Sequence, residues 1–286
     1  MNMDFKQIVV IGAGLIGGSF AMSLKACGFK GKIVGIDRRE ENLHIAKEKG
    51  IIDEYSTFPS KGVNGSDLIL LSTPAGQFLK IIEEIAPVIK RWAIVTDVGS
   101  VKGTLVRRLE ELMPAGVSFV GGHPIAGKEL SGIETASAHL FKGKMCVITP
   151  TQKTDRNALK KVMSLWQSLG SNIVTMSPEE HDRIFGAVSH LPHVVAYALV
   201  NTVIGLDKNI LPYSGQGFRD ITRIALSPPD LWGDVCRYNA ENILSFIDSF
   251  ELAISLIKDK IKNSQWEALE EEFKKAQTAR SNLGTD

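Results

Sequence analysis

Short β-branched runs alternate with helical stretches as far as Met176, and from Ser177 onward only helical periodicity remains. Glycines spaced Gly-x-Gly-x-x-Gly stand between the first such run and the first helical stretch. Together these features predict an α/β Rossmann-type dinucleotide-binding domain over 1–176, followed by an all-α dimerisation domain over 177–286.

The first strand is Gln7-Ile8-Val9-Val10-Ile11, a buried β-branched run. Gly12-Ala13-Gly14-Leu15-Ile16-Gly17 follows, and a helix runs on from Gly18. Glycines there allow a tight turn and the close approach of a pyrophosphate to the helix N-terminus. The second strand, Lys32 to Ile36, ends at Asp37, twenty residues beyond Gly17. A carboxylate in that position can bond both ribose hydroxyls, which favours NAD. Arg38 and Arg39 follow and can grip a 2′-phosphate, so NADP stays open. Further strands are expected at Asp67–Leu71, Ala93–Thr96, Val117–Val120, Lys144–Thr149 and Asn172–Met176. Helices are expected over 77–90, 101–113 and 155–169. Such alternation implies a parallel sheet covered on both faces. Ser72-Thr73-Pro74 is the exit loop of the third strand. The candidate cofactor-binding set is therefore Gly12, Gly14, Leu15, Ile16, Gly17, Asp37, Arg38, Ser72, Thr73 and Pro74.

Gly121-Gly122-His123-Pro124 is expected to present an imidazole from a stiff loop at a strand's carboxyl end, where open α/β sheets place ligands. A histidine satisfied by backbone in a tight turn is the alternative at that point. Ser100 precedes the helix expected over 101–113 and reads both as its N-cap and as a hydroxyl that orients His123. A helix N-terminus nearby favours the neutral imidazole, the form that acts as a base. Asp97 reads as a carboxylate that orders its loop.

Ser177-Pro178-Glu179-Glu180 is a capping box that starts the helical half. Pro192, within Ser189-His190-Leu191-Pro192-His193, removes a backbone donor and clashes with the Val188 carbonyl, so a kink is expected beside two histidines three apart. They read as ligand-binding groups, as core histidines, or as half a metal site for which no partner set is evident. Ser214 to Asp220 reads as a glycine-rich loop, and Arg219 and Arg223 sit one turn apart. A guanidinium suits a carboxylate ligand, and a surface ion pair is the plain alternative. Apolar stretches at Val194–Ile204 and Ile243–Ile257 suggest burial against a second copy of the chain.

Composition narrows the functional class. A net charge of +1 favours neither nucleic acid nor an anionic membrane. No apolar run is read as long enough for a membrane span. Three scattered cysteines, Cys27, Cys146 and Cys236, fit a reducing cytoplasm and no disulfide framework. The first strand begins almost at the N-terminus, so no signal peptide is expected.

In combination the motifs resemble the prephenate/arogenate (cyclohexadienyl) dehydrogenase family of tyrosine biosynthesis. The matching stretches are Gly12–Ser19, Thr96-Asp97-Val98-Gly99-Ser100-Val101-Lys102, Gly121–Gly127, Glu180-His181-Asp182, Ser189–His193 and Gly217–Ala225. Lys128 stands where many relatives carry a smaller residue. The resemblance implies NAD-dependent oxidative decarboxylation of prephenate to 4-hydroxyphenylpyruvate, with arogenate as the alternative substrate. It implies catalytic roles for His123, as the base on the C4 hydroxyl, and for Ser100. It also implies substrate contacts from His193, Arg223 and Glu129, no metal, and a homodimer in the cytoplasm. A β-hydroxyacid dehydrogenase would need a helical lysine base that is not evident. A cofactor-binding regulator would need the glycine loop but not His123, Ser100, His193 and Arg223 together.

Overall fold

The computed structural model describes residues 5–127 and 132–283. The nucleotide-binding part runs β1 (Gln7–Ile11), α1 (Leu15–Ala26), β2 (Lys32–Ile36), α2 (Glu40–Glu48), β3 (Glu54–Ser56), α3 (Pro59–Gly62) and β4 (Leu68–Leu71). It continues with α4 (Phe78–Ile85), β5 (Ile94–Asp97), α5 (Gly103–Leu112), β6 (Ser118–Pro124), β7 (Met145–Thr149), α6 (Arg156–Ser168) and β8 (Asn172–Thr175). Strand order is β3-β2-β1-β4-β5-β6-β7-β8 among the described residues. This is the Rossmann-type arrangement: the chain starts mid-sheet and winds outward both ways, so β1 and β4 are neighbours and their exit loops adjoin. Buried runs such as Leu68-Ile69-Leu70-Leu71 mark a sheet covered on both faces.

Three expectations are corrected. The sheet is not wholly parallel, because β6 pairs antiparallel with β7. The helix expected over 77–90 stops at Ile85, and a short 3₁₀ turn holding Pro87 follows. Proline lacks the N–H that the ladder needs. Strand β3 was not anticipated, its three residues being too few to carry a period.

The helical part begins with α7 (Pro178–Phe185), capped by Ser177 Oγ accepting from Glu180 N at 3.1 Å. A π-helical turn, Gly186–His190, leads into α8 (Leu191–Asp207). The π turn stands where the kink was expected: widening by one residue accommodates the ring of Pro192. Then come α9 (Gln216–Thr222), a 3₁₀ turn (Arg223–Leu226) and α10 (Pro229–Tyr238). The supposed glycine-rich loop is thus largely helix α9, because neither glycine there is forced into a positive φ. By length and composition alone, the helical run Pro178–Tyr213 could cross a membrane, against the sequence reading, and 11% of its most apolar window is buried within the chain. The reading missed it because Pro192 divides the sequence there while the helix continues.

Two compact units partition the chain, 1–240 and 241–286. The second holds most of α11 (Ala240–Lys262) together with α12 (Trp266–Ser281), joined by Lys260 Nζ and Glu272 Oε2 at 3.3 Å.

Candidate active site

The dinucleotide loop is built from contacts only glycine permits. Gly12 has φ +104°, and a Cβ there would sit 2.5 Å from the Ser72 carbonyl oxygen. A Cβ on Gly17 would lie 2.1 Å from the Gly12 carbonyl oxygen. Gly14, by contrast, faces open space. The outer two glycines are required by packing, and the middle one leaves a cradle that a pyrophosphate can approach. Ser72 ties the two loops: its N–H donates to Ile11 O at 2.7 Å, and its Oγ donates to Gly12 O at 2.9 Å. Thr73 and Pro74 continue that edge, half-buried, and Leu15 and Ile16 open α1. Asp37 at the end of β2 accepts from Ala13 N and Arg39 N, both at 2.9 Å. Its carboxylate is therefore anchored to the glycine loop, with lone pairs left for ribose hydroxyls. Arg38 beside it is exposed. These residues fit a dinucleotide.

His123 is not in a loop. β6 pairs parallel with β5 as far as Val120, then turns to β7, with His123 opposite Val147. The glycine pair marks this change of partner rather than a strand end. A Cβ on Gly121 would meet Thr149 Oγ1 at 2.3 Å, and one on Gly122 would meet Asp97 O at 2.8 Å. Consequently the imidazole is carried on strand backbone paired to β7, and its ring stays partly exposed. It packs against Phe185 with centroids 5.2 Å apart. Its Nδ1 lies 2.8 Å from His181 Nε2, and His181 Nδ1 lies 2.8 Å from Asp182 Oδ1.

Asp97 orders the turn beneath. Its Oδ1 accepts from Gly122 N at 3.0 Å, and its Oδ2 accepts from Gly99 N at 2.8 Å and Lys102 Nζ at 2.5 Å. Lys102 is fully buried and also donates to Gly99 O and Val101 O. One ion pair thereby pins both the strand of His123 and the turn of Ser100. Ser100 is not a helix cap, since α5 starts three residues later with Lys102 at its N-cap. Nor does Ser100 Oγ bond the His123 ring, whose hydrogen-bond partner among the described residues is His181. The Ser100 carbonyl accepts from His190 Nε2 at 3.2 Å, and Asn239 Nδ2 donates to His190 Nδ1 at 3.0 Å.

From the helical side, His193 Nδ1 donates to Ser189 O at 2.8 Å, which leaves Nε2 available. The ring stacks on Trp232 at 3.6 Å, and His190 meets the edge of the same indole at 6.0 Å. The turn of Arg223 packs on α8, the helix that carries His193, and Tyr197 Oη on α8 donates to Ser227 O at 2.6 Å. Arg223 itself is exposed. Helix α10 docks on the exit of β4 through Asp234 Oδ2, which accepts from Gly76 N at 2.8 Å. Glu129 lies outside the described residues. Sequence reasoning gave no role to Lys102, His181, Asp182, Trp232 or Asn239. A lysine five residues after a strand-end aspartate was the one signal for the buried pair. His181 and Asp182 lie in the Glu180-His181-Asp182 stretch of the resemblance, with no role read for them, and Trp232 and Asn239 reach the site through tertiary packing alone.

Burial dominates the electrostatics. It holds His123 well below the usual histidine range, with His181, Lys102 and His190 adding to the effect, rather than near 6.5 as the free side chain would be. His181 is lowered to about 2 and His190 to about 4, first by burial, and His193 is lowered as well. Burial raises Asp182 to about 6 and also raises Asp97. As pH falls below the unfolded histidine value, the unfolded chain takes up protons that the folded imidazoles refuse, so stability falls. The two raised carboxylates act in the opposite sense below about pH 6 and offset part of the loss. The expected net loss is about 1–3 kcal/mol per pH unit between about pH 6.5 and pH 4. Urea midpoints measured from about pH 7.5 down to about pH 5 should fall steadily; a flat series would contradict this account.

Comparison with known proteins points to one family. Residues 20–175 match the family model described as prephenate dehydrogenase, nucleotide-binding domain, and residues 177–275 match prephenate dehydrogenase, dimerization domain. The chain is 36% identical to a prephenate dehydrogenase of Bacillus subtilis, over 99% of this chain and 77% of that one. It is 34% identical to a cyclohexadienyl dehydrogenase of Zymomonas mobilis, over 99% and 97%. A crystal structure of prephenate dehydrogenase from Aquifex aeolicus, in complex with hydroxyphenyl propionate and NAD+, superposes with a TM-score of 0.92 at 41% identity, covering 98% of each chain.

Proposed function

Because this chain belongs to the prephenate dehydrogenase family, we propose that His123 is the base of an NAD-dependent oxidative decarboxylation that converts prephenate to 4-hydroxyphenylpyruvate. The protein is an NAD-dependent oxidoreductase. Bound NAD+ supplies the hydride acceptor. Gly12, Gly14, Leu15, Ile16 and Gly17 would hold its pyrophosphate, Asp37 its ribose, and Ser72, Thr73 and Pro74 its inner edge, with Arg38 at the rim. The observation that carries the reading is a neutral, partly exposed imidazole on β6, in the sheet whose β1 and β4 exits form the dinucleotide cradle.

His123 accepts the proton of the C4 hydroxyl as hydride leaves that carbon, which relieves the positive charge building there. The ring carboxylate departs as CO₂, and aromatisation drives the step. Ser100 sits on the turn that Asp97 ties to the His123 strand, and its catalytic role would be exerted on bound substrate or cofactor rather than through a bond to the imidazole. His193 offers Nε2 to the substrate, and Arg223 grips a carboxylate with both nitrogens. Glu129 takes the pocket edge near the side chain that distinguishes prephenate from arogenate. Arogenate stands as the second reading because the relative from Zymomonas mobilis, similar over nearly its whole length, is named for the broader cyclohexadienyl class.

A sequence boundary at Met176, with 177–286 as the dimerisation part, is supported by the Ser177–Pro178 helix start. A homodimer is supported by apolar side chains exposed on the single chain, among them Val188, Ile204 and Leu206 in the first unit and Leu244, Phe250 and Leu252 in the second. A partner copy covering them also accounts for the apolar Pro178–Tyr213 run without a membrane. Three free cysteines support a reducing, cytoplasmic setting.

The test is NADH absorbance with prephenate or arogenate, each with NAD+ and NADP+. Prephenate with NAD+ should give the highest kcat/KM. NAD+ binding with no reduction on either substrate would leave a regulator and sink the reading. In the same assay Arg223→Ala should raise KM about 30-fold, the loss of about 2 kcal/mol of charge-assisted hydrogen bonding, with kcat changed little.

A further inference from the structure

We propose that His181 and Asp182 are positioning residues that set the tautomer of His123, placing its proton on Nδ1 and its lone pair on Nε2. This rests on the reading of His123 as the base.

The relay begins at its buried end. Asp182 Oδ1 accepts from the backbone N–H of Lys102 at 2.8 Å. This locates the carboxylate at the start of α5, where the helix dipole favours it. Close approach there is possible because residue 103 is glycine, whose added Cβ would lie 2.6 Å from Asp182 Oδ2. An oxygen already accepting from a backbone amide accepts again from His181 Nδ1 at 2.8 Å, so that nitrogen carries the proton. A neutral imidazole has one N–H, so His181 Nε2 is bare. The atom 2.8 Å from it is His123 Nδ1, which must therefore be the donor. What remains on His123 is Nε2, unprotonated.

The opposite arrangement sets two lone pairs against each other, with no water to separate them. His181 is fully buried. In solution the neutral histidine side chain favours the proton on Nε2, so without this relay much of the base would carry its proton on the reacting nitrogen. The arrangement uses no charge on His181: burial keeps that ring neutral. His181 acts through His123, while Asp182 acts through His181 and through the helix it caps.

The test uses the full chain with NAD+ bound. In the wild type, nitrogen-15 spectra of labelled histidine should show the His123 proton on Nδ1. His181→Leu removes the acceptor and should lower kcat about 10- to 100-fold, with substrate KM and NAD+ affinity held within about twofold. His181→Gln offers its amide N–H to Asp182 and its carbonyl to His123, so it should recover most of the lost kcat. A wild-type spectrum with the proton on Nε2 overturns the proposal even if no His181 variant folds. So does a folded His181→Leu variant with undiminished kcat. Failure of the base assignment looks different: there His123→Asn would itself keep its turnover, whatever His181 does.

Discussion

Replacing His123 by Asn is expected to lower turnover about 10²- to 10⁴-fold, equivalent to about 3–5 kcal/mol of lost transition-state stabilisation. Asn retains a polar group of similar reach near Nδ1 but has no basic nitrogen at the position of Nε2. The hydroxyl proton must then pass to water as hydride leaves. Binding of NAD+ should be untouched, since its cradle is built on β1, β2 and β4 and not on β6. Dinucleotide titration and steady-state turnover therefore separate the two effects. The site is rigid enough for a clean comparison, because residue 123 lies in a strand paired to β7 and the substitution needs no backbone shift. Undiminished kcat in the variant would remove His123 from the chemistry.

The second large effect concerns folding. Lys102→Met should destabilise the protein by about 3–5 kcal/mol, because it leaves the Asp97 carboxylate buried without its counter-charge. Neither group has access to water, at 1% exposure each. Methionine matches the stem of the lysine, so lost packing is not the cause. Thermal unfolding should show a midpoint lowered by about 5–15 °C. The double variant Asp97→Asn with Lys102→Met should recover a large part of the loss, since an amide still accepts from Gly99 or Gly122 and carries no charge. A single variant as stable as the wild type would mean that Asp97 is already neutral in the folded state.

The architecture was legible in the sequence for a simple reason. Strands buried on both faces read as continuous apolar runs, as in Val9-Val10-Ile11, and the glycine fingerprint sits where strand meets helix. Gly12 and Gly17 are demanded by backbone contacts within the same few residues and the neighbouring β4 exit, so local spacing carries them. The capping box at Ser177 is likewise local. Misreadings fell where a long-range partner overrides the local signal. Gly121-Gly122 looked like a strand end, yet β7 extends the strand through Pro124. Ser100 looked like a helix cap, yet the Asp97–Lys102 pair occupies the turn and delays the helix to Gly103.

Local spacing by itself determined the winding of the nucleotide half, the cradle for a dinucleotide, the place where helices take over, and the candidate imidazole and guanidinium. Only the tertiary structure decided which nitrogen of His123 has a partner, because His181 and Asp182 are 58 and 59 positions away in the chain. Hydrogen-bond direction passes from Asp182 to His181 to His123 through space, and no periodicity in the sequence encodes the orientation of a ring.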